Sequence, residues 1–207
     1  MYQWKRWEKA AAIALLLTLL ISAAECRAGV KTQNNIAEKI VRLHVLANSD
    51  SEYDQSRKLL VKDAVFVRAE EILRSAAHQQ DAEKRLEAAL AELELLAEKT
   101  LRENGAAEDV SVHLISERFN TRYYDGFTLP AGEYRSLQVV IGEGKGQNWW
   151  CVVFPPLCSA ASEEFAAAAM RTGFSEEELR LIREGEEGYL LRFRTLEIWN
   201  RWKKYFA

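Results

Sequence analysis

Chemistry in this 207-residue chain can come from few places: Cys151 and Cys158, the histidines of RLHVL (His44) and SVHLI (His113), and the glycine run GEGKG from Gly142 to Gly146. Each supports a definite reaction. Cys151 could act as a nucleophile if a histidine lay close in space, because such pairs need proximity and not sequence adjacency. His44 and His113 occupy matching places in two strand-like patterns and would share a face if those strands were neighbours. A metal there would need a third ligand, for which Glu133 or Glu143 are the acidic residues to hand. A glycine loop cradles phosphate when a helix follows it, since the helix N-terminal amides hold the anion. Here GEGKG runs instead into Gln147, Asn148 and the β-rich NWWCVVF, so the plainer reading is a hairpin connection.

The remaining signals point away from catalysis. The sequence contains no GxSxG, HExxH or EF-hand loop, and no GxGxxG between a strand and a helix. Glu176, Glu177 and Glu178 suit the first turn of a helix, where the dipole favours negative charge. Trp149 and Trp150 are consecutive, so in a strand they point to opposite faces, one toward a core and the other under helices or toward a partner. No catalytic residue, metal or cofactor is assigned.

The N-terminus decides the compartment. Lys5, Arg6 and Lys9 precede the apolar run Ala11 to Ala24, the pattern of an export signal that is short for a membrane span yet long enough to stay as an anchor. Small residues allow cleavage after Ala24 or after Ala28, and the choice decides the fate of Cys26. Residues 1–28 are therefore read as signal or anchor and 29–207 as one domain. Loss of Lys5, Arg6, Glu8 and Lys9 with residues 1–24 takes the formal charge from -3 to -5. Nucleic acid, which demands a basic surface, is excluded as a partner. An even cysteine pair in an exported chain reads as a disulfide, Cys151 to Cys158.

The elements that must position these residues follow from periodicity. After a polar linker, Lys31 to Asn35, Val41, Leu43 and Val45 alternate with Arg42, His44 and Leu46 in a two-faced strand. Asp50 or Ser51 caps a helix with Leu60, Val61, Ala64, Val65 and Ile72 on one side, and a break at His78 to Asp81 leads to a second, with Leu86, Leu90, Leu93, Ala97 and Leu101. From Val110 the period becomes two, giving three strands read as an antiparallel meander with the glycine loop joining the last two. Two short helices follow, the second opened by a Ser175–Glu178 capping box with Phe174 and Leu179 as its staple. The segment after Gly188 reads as a strand and then a basic aromatic tail. The fold expected is α+β: a mainly antiparallel sheet of four or five strands, a long helical hairpin after the first strand, and short helices near the C-terminus.

VRLHVLANSDSEYDQSRKLLVKDAV and LPAGEYRSLQVVIGEGKGQNWWCVVFPPLC resemble stage II sporulation protein R, from about Ile40 to Cys158; FNTRYYDG matches more loosely. The resemblance implies a non-enzymatic signalling protein, exported from the forespore into the intermembrane space. There it would activate a membrane-embedded aspartic protease that processes pro-sigma factor E. The resemblance supplies no contact positions; from the residues themselves, a glycine loop, an exposed tryptophan and a disulfide-pinned turn, Gly144, Lys145, Asn148, Trp149, Trp150, Phe154, Pro155 and Pro156 are expected to form a rigid surface docking on the protease's outer domain. His44, Asn48, Ser49, Asp50, Asp54 and Gln55 belong to the second motif. The basic aromatic C-terminal tail could engage a membrane surface, a docked terminal helix being the plainer reading of its residues. The rival expectation is an exported hydrolase using Cys151 or a metal near His44 and His113.

Overall fold

A computed structural model describes residues 6–158 and 162–183 of the chain. The strand and tail expected after Gly188 lie outside the described residues.

The chain opens with α1 (Arg6–Ala37), one helix that includes the expected polar linker. Its apolar stretch is exposed and long and apolar enough to cross a membrane, as a signal or an anchor would be. Only its last turns join the fold: Gln33, Ile36 and Ala37 are buried. The linker is helical because those residues find an apolar surface, which a polar sequence pattern does not reveal. Gln79 then ties down the end of α1, its Nε2 donating to the carbonyls of Ala37 (3.0 Å) and Ile40 (2.6 Å).

Strand β1 (Val41–Leu46) leads to the helices α2 (Glu52–Leu73) and α3 (Gln79–Glu103), which pack on each other. Ser51 is the cap of α2, its hydroxyl accepting from the Asp54 amide at 3.1 Å. His78, exposed as expected, caps α3. The buried stripe of α2 is Lys58, Val61, Val65, Ala69 and Leu73, whereas Leu60 is exposed and Ala64 and Ile72 are half-buried. The expected face was rotated by about one residue because Lys58 occupies a core position. In α3 the expected stripe holds, with Leu90 half-buried at its margin.

Then come β2 (Val110–Phe119), a small hairpin of β3 (Arg122–Tyr124) and β4 (Phe127–Leu129), and the long strands β5 (Gly132–Ile141) and β6 (Asn148–Phe154). Helices α4 (Ser162–Arg171) and α5 (Glu176–Arg183) complete the described chain. The Ser175–Glu178 capping box forms reciprocally, at 2.8 and 3.2 Å. Glu178 also receives both bonds of Lys39, at 2.6 and 2.8 Å.

The sheet order is β2-β5-β1-β6. The α+β class is as expected, but the sheet is mixed and the meander is not formed: β1 lies between β5 and β6, parallel to the first and antiparallel to the second. The reason lies in β1 itself. Both of its faces are buried from Val41 to Val45, which only a central strand with layers on either side allows.

One layer joins Val41, Leu43 and Val45 to Leu137, Val139 and the inner stripes of α2 and α3. The opposite face carries Arg42 and His44. It is covered at one end by Ile36 and Ile40, Phe127 and Leu129 of the small hairpin, and Phe165, Leu179 and Ile182 of the last helices.

Candidate functional site

Because β5 and β6 flank β1, the glycine loop has to pass over the end of β1, and there it meets the ANSDS segment. Every amide from Gly142 to Gln147 finds an acceptor. Gly142 donates to the Asp109 carbonyl (2.8 Å) and Gly144 to that of Ile141 (3.1 Å). Lys145 donates to the carbonyl of Asn48 (3.2 Å) and Gly146 to that of Ala47 (2.9 Å). The side chains of Asn48 and Asp50 take the amides of Glu143 (3.0 Å) and Gln147 (2.7 Å). A loop with its amides spent in this way is a latch and not a phosphate cradle.

Asp54 anchors the other side of the latch. It accepts from the Ser49 hydroxyl at 2.5 Å and from Asn48 Nδ2 at 3.0 Å. The Ser49 hydrogen bond, followed by that of Asn48, holds its carboxyl below the ordinary carboxylate range. Gln55 donates to the Ser49 carbonyl (2.9 Å). Lys58, whose ammonium burial pushes below its usual value, bridges Gln55 Oε1 (2.6 Å) and the Gln147 carbonyl (2.9 Å). Close packing explains the glycines: a β-carbon on Gly146 would overlap the Ser49 carbonyl, and Gly142 has φ +56° against the Asn48 side chain.

The second motif is thus brought onto the first. His44 lies one strand from Trp150, directly opposite it in the register, and the two rings stack at 5.6 Å between centroids. Its Nδ1 is hydrogen-bonded to Glu117 Oε2 (3.0 Å) and its Nε2 to Asn148 Oδ1 (2.8 Å). His113 shares that sheet face, as expected from the pattern, but Gln138 of β5 stands between it and His44, and His113 is exposed. Among the described residues no group of three metal-ligating side chains forms. Glu143 instead pairs with Lys145 at 2.6 Å on the exposed loop, and Glu133 accepts from Ser116 at 2.9 Å.

The proposed docking residues divide. Lys145 and Asn148 are exposed, and Gly144, Pro156 and both tryptophans are half-buried. Trp149 packs toward the helices, with Lys62 Nζ 4.8 Å from its ring centroid, and Trp150 faces the other way beneath the Arg122 guanidinium at 3.6 Å. Phe154 and Pro155 are buried, and this corrects their place in a surface: Phe154 fills the core under α2, where its area contributes most. Cys151 and Cys158 are joined as a disulfide, and Cys158 Sγ accepts the Val152 amide at 3.3 Å on the outer edge of the sheet.

Sequence reasoning missed one cluster. Arg42 is fully buried and lies over the rings of Phe119 (3.9 Å) and Tyr134 (5.0 Å), with Nη2 donating to the Tyr124 hydroxyl at 2.5 Å. Its signal was present as a charged residue sharing with His44 one face of a strand whose other face is wholly apolar. The aromatic partners come from three other strands, and no local spacing connects them.

An α+β domain carried behind a long apolar helix, with two distant motifs interlocked at one end of its sheet, is the class that fold and site define. The model of the family described as stage II sporulation protein R matches residues 37–164. The chain belongs to that family. Stage II sporulation protein R of Bacillus subtilis (strain 168) is 35% identical over 147 residues, covering 70% of this chain and 66%, just under two thirds, of the relative. No solved structure matches.

Proposed function

We propose that the protein is an exported signal of endospore formation. Residues 1–28 direct or anchor it across the forespore membrane. Residues 29–207 act in the intermembrane space by docking on the outer domain of a membrane-embedded aspartic protease, which then processes pro-sigma factor E. The observation that carries this reading is the latch: the polar groups of both motifs are spent on each other, and the result is a preordered rim with Lys145 and Asn148 exposed and Trp150 and Pro156 half-buried beside them. A rim ordered before contact loses little entropy on binding. The groups a hydrolase would have used are engaged, Cys151 in the disulfide and both His44 nitrogens in hydrogen bonds.

The test is reconstitution in a non-sporulating host expressing the candidate protease and its pro-sigma substrate. Processing that requires the exported protein, persists in His113→Ala and falls in Trp150→Ala is the expected result. Efficient export with no processing in the presence of an active protease overturns the reading.

A further inference from the structure

The cluster beneath the β3-β4 hairpin has donors without acceptors. Arg42 is fully buried, yet its Nε and Nη1 have no hydrogen-bond partner. The Ser136 hydroxyl, on the residue paired with Arg42 in the sheet register, is buried and equally unmet. Arg122 Nε is a third unmatched donor, two residues from Tyr124 and so on the same side of β3. The Tyr124 hydroxyl accepts from Arg42, which leaves its own proton free to be donated onward. Glu117, a carboxylate on this sheet face, is bound to His44, and Glu178 of the covering helix α5 is bound to Lys39. Two guanidinium groups thus lie close enough for the charge of one to act on the other, and among the described residues neither has an anionic partner. Burial is the main reason Arg42 is held below its ordinary pKa, and the like charge of Arg122 adds to it.

Aromatic rings offset part of the cost of burying Arg42, but rings accept charge at their faces and leave in-plane N–H groups unsatisfied. We propose that this cluster is a carboxylate-binding site, in which Arg42, Ser136 and the Tyr124 hydroxyl form the floor and Arg122, half-buried over Trp150, forms the entrance. Arginine N–H groups match the planar carboxylate, and a single negative charge is less costly than a phosphate dianion to bring among Phe119, Tyr124 and Tyr134. The carboxylate comes from a small molecule or from an acidic side chain, and the measurement separates the two.

Proton–nitrogen NMR of the arginine Nε–H groups in the full chain, solubilised in neutral detergent, reads the site directly. Acetate is titrated at constant ionic strength against chloride. A saturable shift of the Arg42 and Arg122 signals, absent with chloride, shows that a free carboxylate enters, and Arg122→Gln weakens it about tenfold, the loss of one charge-assisted bond. Signals that are already downfield, slow to exchange and indifferent to acetate, and that revert in Arg122→Gln, show that an acidic side chain fills the site. Rapidly exchanging Arg42 Nε–H with no saturable response, or an equal response to chloride, overturns the proposal. Ser136→Ala, a smaller change in the floor, provides a second variant should Arg122→Gln fail to fold.

Discussion

The side-chain carbonyl of Asn48 accepts the backbone amide of Glu143 at 3.0 Å across 95 residues of chain, while its amide donates to Asp54. One side chain thus closes the glycine loop onto the start of α2. Asn48→Ala removes both bonds, leaving the exposed Glu143 amide to water and the partly buried Asp54 carboxylate short of a donor, an expected loss of about 1 kcal/mol in chemical denaturation. Gly146→Ala forces the loop away from the Ser49 carbonyl and is expected to cost at least as much.

Asp54 links this latch to pH. Its carboxyl has a folded pKa below the unfolded value of about 3.9, so its contribution is complete above that value and is lost as pH falls through the folded pKa. The difference in urea midpoint between the native chain and Asp54→Asn is expected to be constant from pH 7 to 5 and to shrink below pH 4. A difference as large at pH 2.5 as at pH 7 would contradict this assignment.

Trp149 and Trp150 are expected to separate stability from signalling. Trp149→Ala opens the packing against Lys62 and the helices and should cost about 2 kcal/mol of stability. Trp150→Ala removes the ring between His44 and Arg122 and, as an anchor at a protein contact, should lower processing about tenfold at equal secretion. Thermal unfolding and a processing assay on the same two variants check both.

Opening the Cys151–Cys158 bridge releases a loop of eight residues, for which the chain-entropy relation gives about 2.5 kcal/mol. The Cys151→Ser, Cys158→Ser variant and the reduced native chain should lose stability equally. Free thiols at Cys151 and Cys158 in the secreted protein would remove this prediction.

Much of the fold was legible locally. The periods of α3, β2 and β5, the caps at Ser51 and Ser175, and the apolar N-terminal run each depend on residues a few positions apart. The stripe of α2 was rotated because Lys58, a polar residue, reaches from a core position to Gln55 one turn back on the same helix and to the Gln147 carbonyl, which arrives from the distant glycine loop. Phe154 and Pro155 looked like surface in a proline-rich turn and are core, since burial depends on what packs against a turn.

The sequence by itself determined the class of the fold, the helical hairpin, the apolar N-terminal helix, the cysteine pairing and, through two long motifs, the family. Tertiary structure decided that β1 lies between β5 and β6, that the two motifs interlock, and that Arg42 is caged by Phe119, Tyr124 and Tyr134. The physical reason is range. Caps and periodicity are energies between near neighbours in the chain, whereas strand order and the surroundings of a buried charge are set by segments that meet only when the whole core closes.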